Sequence, residues 1–255
     1  MKLLDNESEN REIKWCKNNA NLSEEERGLC ENINEKFSEL KKTLEDSLKT
    51  GNNKIVWQTT PIIGYQETVY KKRGVIIIGI NENDRSKGKD NAKCQNMKED
   101  SNFTGNSRDN VLGCYRYFKF FTEDGILKRK SLSDKFDHNI KFMELIPIKT
   151  NNGKGLENVL KKSNDIEIKC YCYLREMLEL LDPELIIVNS VEVSDLFKQQ
   201  GSKEGIENQE KDVTNIIIDI NNNKVPVILS GQVTGRNHLD RYNIIRFWNE
   251  IERVL

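Results

Sequence analysis

Two polar loops carry the residue types from which an active site could be built. The first, Gly79-Ile80-Asn81-Glu82-Asn83-Asp84-Arg85-Ser86, follows directly on the apolar run Val75-Ile76-Ile77-Ile78. Amide and carboxylate groups placed straight after a buried strand gain rigid support. Asn81 or Asp84 could there orient or activate a water, while Asn83 and the backbone hold a heterocycle or a sugar. Gly79, Ile80 and Glu82 complete the set of substrate-binding candidates on this turn. The plainer alternative is a polar turn that merely ends the strand. The loop has neither Walker-A spacing nor the glycine pattern of a dinucleotide site, so a cradle for nucleotide phosphates is disfavoured.

The second loop is Ser230-Gly231-Gln232-Val233-Thr234-Gly235-Arg236-Asn237-His238-Leu239-Asp240-Arg241. Its two glycines permit close backbone approach. Arg236, Arg241 and His238 supply anion-facing groups, and Asn237 lies between the first and the last of them. His238 could donate to a developing negative charge or hydrogen-bond within the loop. Asp240 could cap the closing helix as readily as act in chemistry. A third feature is Phe103, an aromatic residue in the polar stretch Ser101–Asn106, where its face could stack on a base. The basic clusters Lys71-Lys72-Arg73 and Lys128-Arg129-Lys130 could touch phosphates, although solvated charge is the default for both.

These loops need a scaffold, and the hydrophobic pattern supplies one. Ser23 followed by Glu26 is a capping-box signature. Leu29, Ile33, Phe37, Leu40, Leu44 and Leu48 then recur at helical spacing, with Gly51 closing a long amphipathic helix. Ile55–Thr60 reads as a short extended segment stopped by Pro61. Val75–Ile78 lacks alternation, as expected of a strand buried on both faces. The pattern predicts an aromatic-rich helix over Val111–Phe121, a strand over Phe142–Ile148 and a helix over Cys170–Leu181 broken by Asp182-Pro183. A strand over Leu185–Val188, a helix over Val191–Gln199, a strand over Val225–Leu229 and a closing helix over Tyr242–Val254 follow. Asn215–Ile220 has strand-like composition, but Val213, Ile216, Ile217 and Ile220 have helical spacing, and the short gap to the next strand favours helix.

Strands separated by helices imply a single domain over residues 1–255, with residues 1–50 packed on it as an N-terminal helical segment. The expected architecture is a three-layer α/β/α sandwich around a mainly parallel sheet. Ligands bind beyond the carboxyl ends of the strands in such sheets, which points to the loops after Ile80, Ile148, Val188 and Leu229. The net charge of −1 argues against coating nucleic acid by bulk electrostatics, yet leaves room for a local phosphate-gripping patch. No apolar stretch approaches membrane-span length, and the polar N-terminus has no secretory core. A cytoplasmic protein without a membrane partner or disulfides is expected. Cys16, Cys30, Cys94, Cys114, Cys170 and Cys172 include no C-x-x-C pair, and His138 and His238 are the only histidines, so no metal is expected.

Together these residues resemble the uracil-DNA glycosylase superfamily, particularly its mismatch-specific and single-strand-selective branches, from about Ile62 to the C-terminus. Gly79-Ile80-Asn81 is similar to the family's first motif, with Asn81 at the water-positioning place and Glu82 where a proline is usual. Asn102-Phe103 through Tyr117 resembles the segment that supplies the base-stacking aromatic. Phe142–Ile148 resembles the middle strand, without the asparagine that reads uracil in many members, although Asn151 and Asn152 are nearby. Ser230-Gly231-Gln232 falls at the second motif in place of the more usual His-Pro-Ser, with His238 eight residues beyond Ser230.

The resemblance implies extrusion of a nucleotide from duplex or single-stranded DNA into the pocket. Phe103 would stack on the base, and Asn81 or Asp84 would orient water toward the anomeric carbon. His238, Ser230 or backbone donors would stabilise the departing base, helped by the Gly231-Gln232 turn. Arg236, Asn237 and Arg241 would meet the DNA. Neither metal nor cofactor is required. The missing uracil-reading groups suggest another base, such as a hypermodified pyrimidine of phage DNA, and with it a role in phage defence. Two rivals stand beside this expectation. One is a catalytically inactive member that binds nucleic acid or a protein. The other is a small-molecule hydrolase using Asp84 or Asp240, although no Gly-x-Ser-x-Gly elbow is present.

Overall fold

A computed structural model describes residues 22–48, 56–57, 61–65, 71–80, 103–104, 120–149, 165–201, 213–231 and 241–255. It shows a mixed α/β architecture. Helix α1 (Glu24–Leu48) opens on the capping box expected from sequence: the Ser23 amide donates to Glu26 Oε2 at 2.8 Å, and the Glu26 amide donates to Ser23 Oγ at 3.2 Å. The Ser23 backbone bond, first, and its hydroxyl bond hold the Glu26 carboxyl below the usual range. The stripe Leu29, Ile33, Phe37, Leu40 and Leu44 is buried.

The main sheet is built from β2 (Ile62–Tyr65), β3 (Val75–Gly79), β4 (Phe103–Thr104), β5 (Ile140–Glu144), β7 (Leu185–Asn189), β8 (Val213–Ile220) and β9 (Asn223–Ser230). Its strand order is β4-β2-β5-β3-β7-β9-β8. The central strands β5, β3, β7 and β9 run parallel, while β2, β4 and β8 join antiparallel at the margins. Two further strands, β1 (Val56–Trp57) and β6 (Ile148–Lys149), pair with each other outside this sheet. The expected middle strand Phe142–Ile148 is thus divided between β5 and β6.

Alternation along β3 shows how the sheet is buried on both faces. Ile76 and Ile78 join one core, with α1, α3 (Ile166–Leu181) and α4 (Val191–Gly201). Val75 and Ile77 join the other, with Phe121, Ile126, α2 (Lys130–Phe136) and α5 (Arg241–Val254). The connection from β3 to β5 carries α2 on the second face, and the connection from β5 across to β7 carries α3 on the first. Opposite directions on opposite faces keep both crossovers the same hand, as a twisted parallel sheet requires.

One expectation is overturned. Asn215–Ile220 belongs to a strand, not a helix. Ile216, Ile218 and Ile220 face the first core, whereas Ile217 is 40 % exposed. The short gap that favoured a helix is a hairpin turn: Asn221 and Asn222 have φ of 50° and 66°, the left-handed pair that a two-residue connection needs. Sequence reading also missed β2, α2 and the π-helical turn Thr122–Ile126, which carries the chain from the Phe120-Phe121 pair toward α2. Most of the expected helix Val111–Phe121 lies outside the described residues.

The amino-terminal edge of the parallel strands is clamped by a buried lysine. Lys141, on β5, is fully buried, and its Nζ donates to the Arg73 carbonyl at 3.0 Å and to Asn139 Oδ1. Burial, reinforced by repulsion from Lys71 and partly opposed by Glu184, lowers its pKa to about 7. A neutral amine has two N–H donors, matching the two acceptors offered. An unfolded lysine titrates near ~10.4. Between pH 7 and about 10 the unfolded chain therefore holds a proton that the folded chain lacks, so Lys141 makes stability rise with pH across that window, by as much as ~1.4 kcal/mol per unit. Urea unfolding at pH 7, 8.5 and 10 should show this rise, and Lys141→Met should flatten it. Parallel pH profiles for the two proteins would refute it.

Candidate functional site

The carboxyl ends of the parallel strands converge on one edge of the sheet. Gly79 is in register with Glu144, Ile78 with Val188, and Asn189 with Ser230, so the row reads Glu144, Gly79, Asn189, Ser230 across β5, β3, β7 and β9. The chain leaves β3 for β5 on one side and then crosses back to β7 on the other. The strand order therefore reverses between β3 and β7, which is where a parallel sheet opens a crevice for ligands.

Of the first loop, Gly79 and Ile80 are described. Ile80 packs half-buried against the first core, and its carbonyl accepts the Ile146 amide at 2.9 Å; the Gly79 carbonyl accepts the Leu145 amide at 2.9 Å. The ladder between β3 and β5 thus extends past the strands and fixes where the polar loop begins. Asn81, Glu82, Asn83 and Asp84 lie outside the described residues. Gly79 meets a specific neighbour: a Cβ there would fall 2.3 Å from Glu144 Oε2 and 2.9 Å from Oε1. The half-buried Glu144 carboxylate occupies the space a side chain would need.

At the second loop, Ser230 is 2 % exposed. Its hydroxyl donates to the Val188 carbonyl at 2.9 Å, and its carbonyl accepts the Ser194 hydroxyl at 3.1 Å. Ser230 thus ties β9 to β7 and to α4. Gly231 follows in a bend and is half-buried. Gln232, Arg236, Asn237, His238 and Asp240 lie outside the described residues, and Arg241 is placed only as the first residue of α5. Between the two loops, Ser190 Oγ accepts the Val193 amide at 3.3 Å and donates to Glu192 at 2.6 Å, which caps the start of α4 at the crevice.

Phe103 is not brought to this edge. It pairs with Tyr65, while Gly64 pairs with Lys141, so it sits level with the amino end of β5 on the outermost strand. Four residues of rise and three strand spacings put its backbone about 20 Å from that of Gly79. The basic cluster ending in Arg73 is also at the amino edge, where Arg73 pairs with Glu184 at 3.0 Å and Asp182 at 3.5 Å. In the second cluster, Arg129 lies 4.2 Å over the Trp248 ring and 3.7 Å from Glu252, and Lys130 pairs with Asp134. Both arginines are engaged in the fold.

Sequence reasoning missed Glu144, Asn189, Ser190 and Ser194. The first three had a readable signal. Glu144 is the lone acid within the apolar run Phe142–Ile146, and Asn189-Ser190 follows a buried run as directly as Asn81 does. Among the described residues no cluster of histidine, cysteine and carboxylate side chains could hold a metal, and no helix is long and apolar enough to cross a membrane. Cys30 and Cys170 are buried and Cys172 is exposed, and none of the three is in a disulfide. Neither a protein-family model nor a curated protein matches the chain.

Proposed function

We propose that this chain is a DNA glycosylase built on a three-layer architecture like that of the uracil-DNA glycosylase superfamily, hydrolysing the N-glycosidic bond of a flipped-out modified base. One observation carries the reading. The two loops singled out by their chemistry leave the same edge of the sheet from β3 and β9, on either side of β7 and beside the crevice. Two strand spacings separate their starting points, roughly 10 Å, which suits a pocket for a single base and its sugar.

In this reading Asn81 or Asp84 orients a water toward the anomeric carbon. The water oxygen bonds to that carbon, the carbon–nitrogen bond to the base breaks, and the base leaves as an anion that takes up a proton. His238 or backbone donors around Gly231 and Gln232 steady that anion. Arg236, Asn237 and Arg241 meet the flanking DNA backbone. The Ser230 hydroxyl, already donating to Val188, supports the loop by fixing its origin rather than by donating to the base. Phe103 has no part in the pocket.

The experiment is incubation with duplex and single-stranded DNA carrying uracil, mismatched thymine or hypermodified cytosines, followed by alkaline cleavage at abasic sites. At least one substrate should yield breaks at the modified position. Asn81→Ala combined with Asp84→Ala should lower the rate by about a hundredfold or more. Binding without any abasic product would leave an inactive DNA-binding protein instead. Cleavage that survives the double substitution would refute the assignment of the water-positioning residues.

A further inference from the structure

The geometry points to Lys141 as a pH-sensitive latch: on taking up a proton its amine leaves for solvent and opens the Arg73-Gly74 turn at the amino edge of the sheet, while the strands stay paired.

Lys141 leaves β5 between Gly64 on β2 and Ile76 on β3, and it is fully buried. Its Nζ ends at the margin of the sheet, where it donates to the Arg73 carbonyl at 3.0 Å and to Asn139 Oδ1. One knot of bonds joins four element ends there. The Arg73 amide donates to the Leu181 carbonyl at 2.8 Å, the Glu184 amide to the Gly74 carbonyl at 2.9 Å, and the Val75 amide to the Asn139 carbonyl at 2.8 Å. Asn139 Nδ2 donates to the Lys72 carbonyl at 2.8 Å. The knot also holds strained backbone, since Arg73, Asp137 and His138 have φ of 69°, 44° and 62°.

The charges around the amine are matched to one another rather than to it. Arg73 pairs with Glu184 at 3.0 Å and with Asp182 at 3.5 Å, and Lys72 pairs with Glu25 of α1 at 3.8 Å. On the turn before β5, His138 lies 3.8 Å from Asp137. Lys71 repels a charged amine and Glu184 attracts it from a distance. Among the described residues no carboxylate forms an ion pair with Lys141. Two neutral acceptors suit the two N–H groups of a neutral amine. An ammonium brings a third proton and a buried charge without a counter-ion.

The way out is short. The turn over the amine is itself exposed, with the Lys72 and Arg73 side chains 49 % and 55 % accessible. Lifting it hydrates Nζ while the ladder between β3 and β5, which starts at Val75 and Ile140, remains. In the closed turn burial holds the amine pKa at about 7. Released into water the amine titrates near ~10.4. Opening therefore takes up a proton between those values, and the open population falls by up to about tenfold for each pH unit gained. Below pH 7 both forms are charged and the dependence flattens.

Hydrogen exchange at single amides tests this in the intact chain. Protection of Arg73, Val75 and Glu184, taken relative to intrinsic exchange rates, should rise about tenfold or more between pH 7 and 8.5. In urea too dilute to unfold the protein these values should hold steady, whereas amides at the centres of β3 and β7 should lose protection. Lys141→Met keeps the length of the side chain without the titrating group, and it should make protection at the three amides independent of pH. Wild-type protection that ignores pH overturns the inference, and so does a pH dependence that survives Lys141→Met. Protection at the three amides that falls with urea as steeply as in the central strands also overturns it, because the release would then require global unfolding. The first and last of these outcomes are read on wild type, so the test does not depend on the variant folding.

Discussion

Gly74→Ala should lower the unfolding free energy by about 3 kcal/mol or more, one of the largest effects of any single methyl group added to this chain. Gly74 has a φ of +77°, where an L side chain alone costs roughly 1–2 kcal/mol. Its Cβ would also lie 2.1 Å from the Asn139 carbonyl oxygen, a backbone atom with nowhere to go. That oxygen accepts the Val75 amide at 2.8 Å, and the Gly74 carbonyl accepts the Glu184 amide at 2.9 Å. The same turn receives the Lys141 amine through the Arg73 carbonyl. Moving Gly74 therefore strains β3, β5 and β7 together at their amino edge. Against a total stability of ~5–15 kcal/mol the loss is large. Urea titration should show a lower midpoint at an unchanged slope; a midpoint within about 0.5 kcal/mol of wild type would show that the turn can relax.

The contrast between what sequence made legible and what it hid has a physical cause. Strands buried on both faces betray themselves by apolar runs rich in β-branched residues, so β3 and β7 are readable, as is β9 despite Pro226, and with them the edge where ligands bind. Helices with one apolar stripe were readable for the same reason, down to the Ser23–Glu26 cap of α1. β8 reads ambiguously because a marginal strand is buried on one face more than the other, and its five apolar residues hold both periods: Val213, Ile216, Ile217 and Ile220 at helical spacing, Ile216, Ile218 and Ile220 in alternation. The deciding signal was Asn221-Asn222, a turn pair rather than a gap. At the site, types and spacing named the loops but not what crosses between strands. Glu144 stands 65 residues after Gly79 in sequence and comes to lie over that glycine only through the parallel register of β3 and β5. Phe103 shows the converse: its polar context suits stacking, yet the backbone pairing with Tyr65 sets it level with the amino end of β5, which no local pattern announces.

Gly79→Ala should behave unlike Gly74→Ala, although the same atom is added. Gly79 ends a regular strand, so the obstacle is contact rather than conformation. The nearest atom is Glu144 Oε2 at 2.3 Å, the far end of a side chain that can swing away. The stability cost should stay near or below about 1 kcal/mol, while the carboxylate is pushed off its resting place. A double-mutant cycle separates this from a general disturbance of the loop. In a Glu144→Ala background the contact is gone, so adding Ala at position 79 should cost measurably less than in wild type, a coupling of about 0.5 kcal/mol or more. Equal costs in the two backgrounds would mean that Gly79 is needed for something other than room for the Glu144 carboxylate.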